Sequence, residues 1–225
     1  MNMRRSTLLV LVAGRSFGAA GGASVDSVTE AEDRTTAPST IHALRAPGDG
    51  SHRSASGPSV RLEQLTIDVL EPYLVGLEDP EIGRLTGTHG TFSREVVEQW
   101  LLTRAEQTDR VDWAVHRRAD DEFLGEAVLN DIDLDNRSAN FRVWLLPAHW
   151  GHGYGTEVAT LALAHAFQAL ALHRVELSVF AFNPRAQRAY EKAGFTAEGR
   201  RRHALRWDDA WHDDLIMAAL NPASA

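Results

Sequence analysis

The chain has 225 residues, 44% of them hydrophobic, enough for one domain of ordinary size with some chain to spare. Acidic residues outnumber basic ones 31 to 23, a formal net charge of −8 that argues against nucleic acid as a partner, because phosphate backbones need a basic face. Cysteine is absent, which excludes disulfides, thiolate metal sites and cysteine nucleophiles, and no apolar run reaches the ~18 residues that would make a membrane a partner.

Residues 1–59 are dominated by Gly, Ala, Ser, Thr and Pro, with Phe17 the only aromatic. Such a stretch buries too little apolar surface to offset its ordering entropy, so a disordered extension is expected. Arg4 and Arg5 before the run Leu8 to Ala13 imitate a secretory signal. The run is short and Arg15 soon interrupts it, so a floppy extension, or a start codon placed too early, is the expected account, and the cytoplasm the expected setting.

From Val60 the pattern becomes globular, and this part holds 26 acidic residues against 17 basic ones. Val60 to Leu65 alternates like a short strand. A helix is expected from about Thr66, and another from Ser93, a suitable N-cap with Glu95 in the first turn. Val111 to Val115 and Phe123 to Leu129 read as strands joined by the turn Ala119 to Glu122. The polar run Asn130 to Asn136 leads into a strand from Ala139 to Leu146. Thr156 to Leu172 follows as a helix, with Val158, Leu161, Ala162, His165, Ala169 and Leu172 on one stripe. Val175, Leu177 and Val179 alternate with polar residues as a strand. Asn183-Pro184 caps and opens a short helix that Gly194 ends. Arg200 to Trp207 and Trp211 to Leu220 are expected as two strands joined at Asp208 to Ala210. The succession predicts an α/β (α+β) domain over residues 60–225.

Between the strand 139–146 and the helix at 156 lies Trp150-Gly151-His152-Gly153-Tyr154-Gly155-Thr156. N–H groups at a helix N-terminus lack internal partners and carry partial positive charge. Glycines let several of them converge on an anion, which makes a phosphate or pyrophosphate cradle. Neither a Walker loop nor the Rossmann spacing is present, since the glycines read Gly-x-Gly-x-Gly. A tight strand–helix connection without a ligand would also account for the composition.

This turn resembles the strand–Arg/Gln-x-x-Gly-x-Gly/Ala–helix motif of the GNAT superfamily of N-acyltransferases, with Trp150 where many members have Arg or Gln. Trp-Gly-x-Gly-Tyr is closest to the RimJ/RimL-like branch. The segment Asn183 to Phe195 is similar to that branch's Asn…Ala…Tyr-Glu-Lys-x-Gly-Phe. Val60 to Leu62, Asp79 to Glu81, and Trp211 to Asp214 look familial too, so the resemblance covers roughly residues 60–220.

The resemblance implies a mixed, mostly antiparallel sheet flanked by helices, and direct acetyl transfer from acetyl-CoA to a primary amine. It assigns the pyrophosphate to the turn, hence to Trp150, Gly151, His152, Gly153, Tyr154, Gly155 and Thr156. Pantetheine would pair with the strand about Val143, Leu145 and Leu146, an edge then extended by the ligand. Tyr190 occupies the general-acid position, and Asn183 would both cap its helix and touch the pantetheine arm. The position at which many members carry a glutamate base is Asn140 here, which cannot act as one. Glu126, His149 and Asp214 stay as candidates.

His165 lies on the apolar stripe and reads as a core histidine. The ten histidines lack ligand spacing, so no metal is expected. The run Arg200 to Arg202 reads as a solvated strand face, with the CoA 3′-phosphate as the alternative. The acceptor amine stays open between a protein N-terminus, a polyamine and an aminoglycoside, and the negative charge favours a cationic one. A homodimer is compatible with the sequence. The rival reading is a catalytically idle acyl-CoA-binding or sensing module.

Overall fold

The computed structural model describes residues 54–224. The extension and the signal-like run therefore lie, up to residue 53, outside the described residues. The last residues of that expected extension are folded: Ala55–Ser56 (β1) pairs antiparallel with Val60–Gln64 (β2). A carboxylate far along the chain holds the connection between the two strands. Glu157 Oε1 accepts the backbone N–H groups of Ser59 (2.7 Å) and Val60 (2.9 Å), a contact that reading the segment by itself cannot foresee.

The helices Leu70–Glu78 (α1), Pro80–Thr86 (α2) and Arg94–Leu102 (α3) follow β2. Asp79 ends α1 and caps α2, its Oδ1 accepting from the N–H groups of Glu81 and Ile82. Three antiparallel strands come next: Val111–Arg117 (β3), Phe123–Asp133 (β4) and Ser138–Leu145 (β5). β4 runs four residues further than expected, so Asn130 to Asp133 belong to it rather than to the connection.

After the glycine turn the chain forms Tyr154–Ala164 (α4), Arg174–Phe180 (β6), Pro184–Ala193 (α5), Thr196–Trp207 (β7) and Ala210–Leu220 (β8). α4 gives way to a π-helical stretch, His165–Ala169, instead of running on to Leu172. The wider turn rotates the apolar face, so that Ala166 is buried and Ala169, expected on the stripe, is exposed. His165 is buried with its ring edge-on to Trp113 at 5.0 Å, a core residue.

The strands form one sheet in the order β1-β2-β3-β4-β5-β6-β8-β7, antiparallel throughout except where β5 meets β6. α4 and α5 cover one face over a core that includes Trp113, Phe141, Val158, Ala162, Val175 and Phe195. α1 and α3 cover the other, where Tyr73, Trp100, Ala114 and Phe123 pack with Trp144. This is the mixed, mostly antiparallel sheet flanked by helices that the resemblance implies. Replacing Glu157 by Ala is expected to lower unfolding free energy by about 1.5–3 kcal/mol, the usual worth of hydrogen bonds to a charged group. A urea titration measures it.

Candidate active site

β5 pairs with β6 only at Ser138, Ala139 and Asn140. Beyond that, β6 continues beside β8 while β5 continues beside β4 as far as Leu145, and the two strands part. The β5 edge from Phe141 to Leu145 is left with no strand beside it. A cleft of about 1690 Å³ opens there.

Most of the residues singled out from the sequence meet in this cleft. Val143 and Leu145 line it from β5, Trp150, Gly151, Gly153, Tyr154, Gly155 and Thr156 from the turn, and Asn183 and Tyr190 from α5. Two do not. Leu146 donates its N–H to Leu124 O (2.8 Å) and packs with the core under α1 and α3. His152 is exposed and stacks on the Tyr154 ring at 5.7 Å. Leu146 thus turns its backbone N–H to β4, while for His152 the group expected to contribute is the backbone N–H and not this side chain.

Gly151 and Gly153 each have φ of 86°, in the left-handed region, with nothing near the position of a Cβ. Gly155 is different, lying inside α4 without a positive φ. Trp150 anchors the turn. Its indole Nε1–H donates to Leu145 O at 2.7 Å, and the Arg185 guanidinium lies 3.8 Å above its ring. Asn183 caps α5, its Oδ1 accepting from Ala186 N at 3.1 Å.

Tyr190 is 8% exposed and packs edge-on to Phe141 and Phe195. Burial pushes its phenol up to about 12, so the group holds its proton at neutral pH, as a donor and not a base. On the other face of β5, residues 140, 142 and 144 point towards α1 to α3, and Asn140, Arg142, Trp144 and Glu126 line the cleft from there. Glu126 is 1% exposed, and burial pushes its carboxyl up. The other two base candidates are partnered. Asp214 is held by Arg201, whose Nε reaches it at 2.9 Å, and His149 Nε2 faces Glu122 Oε1 at 3.5 Å.

Arg200 pairs with Asp213 at 2.7 Å, and Arg201 also donates to Ser178. Two of the three basic residues of the run are therefore occupied by partners on neighbouring strands. Among the described residues no group of His, Asp and Glu has a metal-binding arrangement, and no helix is long and apolar enough to cross a membrane.

The acetyltransferase (GNAT) domain family matches residues 59–196, more than half of the chain. The chain belongs to this family. It is 33% identical over 120 residues to the probable N-acetyltransferase YjcK of Bacillus subtilis, covering 53% of this chain and 66% of that protein. The spermidine N(1)-acetyltransferase of Vibrio cholerae is 29% identical over 120 residues, 48% of this chain and 69% of that protein. Among solved structures, spermidine N-acetyltransferase from Vibrio cholerae in complex with CoA and spermine superposes with a TM-score of 0.68. That likeness, at 23% identity, covers 72% of this chain and 95% of the other and concerns the fold.

The protein is thus a GNAT N-acetyltransferase that uses acetyl-CoA as acyl donor and an amine as acceptor. Because a non-glycine residue in the left-handed region costs about 1–2 kcal/mol, Gly153→Ala is expected to weaken acetyl-CoA binding roughly five- to thirtyfold. Gly155→Ala, whose Cβ would meet only Leu145 Cδ1 at 4.0 Å, is expected to change it less than twofold. Calorimetric titration with acetyl-CoA separates the two.

Proposed function

We propose that the cleft between β5 and β6 transfers acetyl directly from acetyl-CoA to a primary amine, with Tyr190 as the acid that protonates the departing thiolate. The observation that carries this reading is the parting of β5 from β6 beside the glycine turn, with Tyr190 lining the same cleft. Pyrophosphate lies on the N–H groups of Gly151 to Thr156, where a helix N-terminus and two left-handed glycines favour an anion. The pantetheine amides take up backbone groups of the β5 edge about Val143, beside which no strand lies, as an added strand would. Asn183, besides capping α5, faces this arm.

The chemistry follows in one step. The free amine attacks the thioester carbonyl, the C–S bond breaks as the amide C–N bond forms, and the electron pair leaves on sulfur. Tyr190 gives the sulfur its proton, and the amine loses one to solvent or to a carboxylate. A buried phenol suits this task, because the acceptor of its proton comes into being only during the reaction.

The acceptor is a primary amine of the kind found on a protein N-terminus, a polyamine or an aminoglycoside. Similarity to the putative ribosomal N-acetyltransferase YdaF of Bacillus subtilis (29% over 101 residues) and the motif Trp-Gly-x-Gly-Tyr support a RimJ/RimL-like protein. A cytoplasmic setting is part of this reading, because the signal-like run Leu8 to Ala13 is short and Arg15 soon interrupts it.

A thiol-release assay with acetyl-CoA against peptides, polyamines and aminoglycosides tests the reading; no release from any amine would favour an idle acyl-CoA-binding module. Tyr190→Phe is expected to lower kcat by about 10²–10⁴-fold, the usual worth of a general acid, with acetyl-CoA affinity little changed. Unchanged kcat would remove the role. Because its phenol titrates near 12, the kcat profile is expected to show no alkaline fall from Tyr190 up to about pH 10.

A further inference from the structure

The face of the sheet turned away from α4 and α5 carries a group of charges that the transfer step described above does not use. β4 and β5 set Glu126 opposite Trp144, Val128 opposite Arg142 and Asn130 opposite Asn140. Alternation along β5 sends Phe141, Val143 and Leu145 towards the donor side and leaves Arg142 and Trp144 on this one. Glu126 Oε2 accepts from Trp144 Nε1 at 2.8 Å. The indole is fixed in turn: Tyr73 lies edge-on to it at 5.2 Å, and Gly76 backs onto it so closely that a Cβ there would fall 2.4 Å from the ring.

Arg142 is unmatched: its Nε and Nη2 are buried without a hydrogen-bond partner. Glu126 Oε1 and the Tyr73 hydroxyl are also buried, and the hydroxyl faces the Glu126 carboxyl group. Native interiors hold few such atoms, and each costs about 1–3 kcal/mol, more when charged. Neighbouring charges do not relieve them. Asp112 on β3 is taken by Arg110 at 2.7 Å, Arg104 lies over Trp100, and Asp214 on β8 belongs to Arg201. Burial works against both remaining charges, raising the Glu126 carboxyl and pulling Arg142 down to about 10.

What would satisfy them can be read from the atoms. Nε and Nη2 form the edge of a guanidinium that takes two oxygens of one planar group side by side. Glu126 Oε1, besides facing the Tyr73 hydroxyl, can accept from an N–H donor. A polyamine offers donors alone, so it would meet the carboxylate and leave the guanidinium unmatched. An amine with a carboxylate on the adjacent carbon offers an N–H donor and two oxygens together, and one with a carbonyl there offers a donor and an oxygen that both N–H groups can share.

We propose that Arg142 and Glu126 form the acceptor head-group site, and that the amine acetylated belongs to an aminoacyl group. Glu126 receives the ammonium and Arg142 the adjoining oxygens, across β5 from the thioester. This rests on the acetyl-transfer reading and narrows its acceptor. Two sources share the chemistry, a free α-amino acid and the first residue of a peptide.

The test is thiol release from acetyl-CoA with four acceptors: an α-amino acid, its decarboxylated amine, a dipeptide beginning with the same residue, and spermidine. The amino acid or the dipeptide is expected to exceed the decarboxylated amine and spermidine by about tenfold or more in kcat/KM, and the better of the two names the source. Arg142→Gln is expected to cut that ratio by about tenfold. Arg142→Lys, which keeps the charge and the fold but loses the planar fork, is expected to fall between. Preference for spermidine or for the decarboxylated amine overturns the proposal, as does an equal loss on all four acceptors in both variants. Turnover of no amine by a protein that still binds acetyl-CoA overturns the acetyl-transfer reading and this inference with it.

Discussion

The site depends on two neighbouring strands that stop being neighbours. After three paired residues β5 and β6 diverge, each keeping its partner on the far side. A row of backbone N–H and C=O groups is left open within the sheet, where elsewhere the ladder would satisfy them. In the proposed binding mode an extended, peptide-like donor completes that row. The glycine turn begins where β5 ends, so the anion cradle and the open edge lie end to end and measure out one long ligand.

In the proposed reaction the sheet also separates the acid from the acceptor site. Tyr190 and Phe141 stand on the α4–α5 side, while Glu126, Arg142 and Trp144 stand on the α1–α3 side. The opening between β5 and β6 joins these faces, so a thioester lying in it can be approached by the amine from one side and release sulfur on the other. The buried charges at the acceptor face cost stability that a packed apolar face would not, and such local departures from good packing gather at functional sites.

Several positions show how far single residues carry the architecture. Gly125 has φ of 151°, and a Cβ there would fall 2.1 Å from Trp144 O, so only glycine lets β4 and β5 close up beside the cleft. Trp150 replaces the more usual Arg or Gln of its motif, yet ties the turn to Leu145 O and carries a cation on its ring. Glu157 holds the β1–β2 segment against α4.

Periodicity and capping residues by themselves determined nearly every element from Val60 on, because amphipathic patterns and caps such as Asn183 and Gly194 act over a few residues. The two family blocks, being contiguous, also pointed to the turn and the helix α5 that line one cleft. The pairing of Ala55 and Ser56 with β2 was not legible, because Glu157, which accepts from Ser59 and Val60 at the connection, lies about a hundred residues away. The π turn that exposes Ala169, and the directions of Leu146 and His152, likewise depend on packing and backbone dihedrals that composition does not encode. Arg142 carried no signal as one arginine in a strand. Only the tertiary structure set it beside Glu126 with its donors unmatched, since burial and pairing are properties of the assembled sheet and not of the residue.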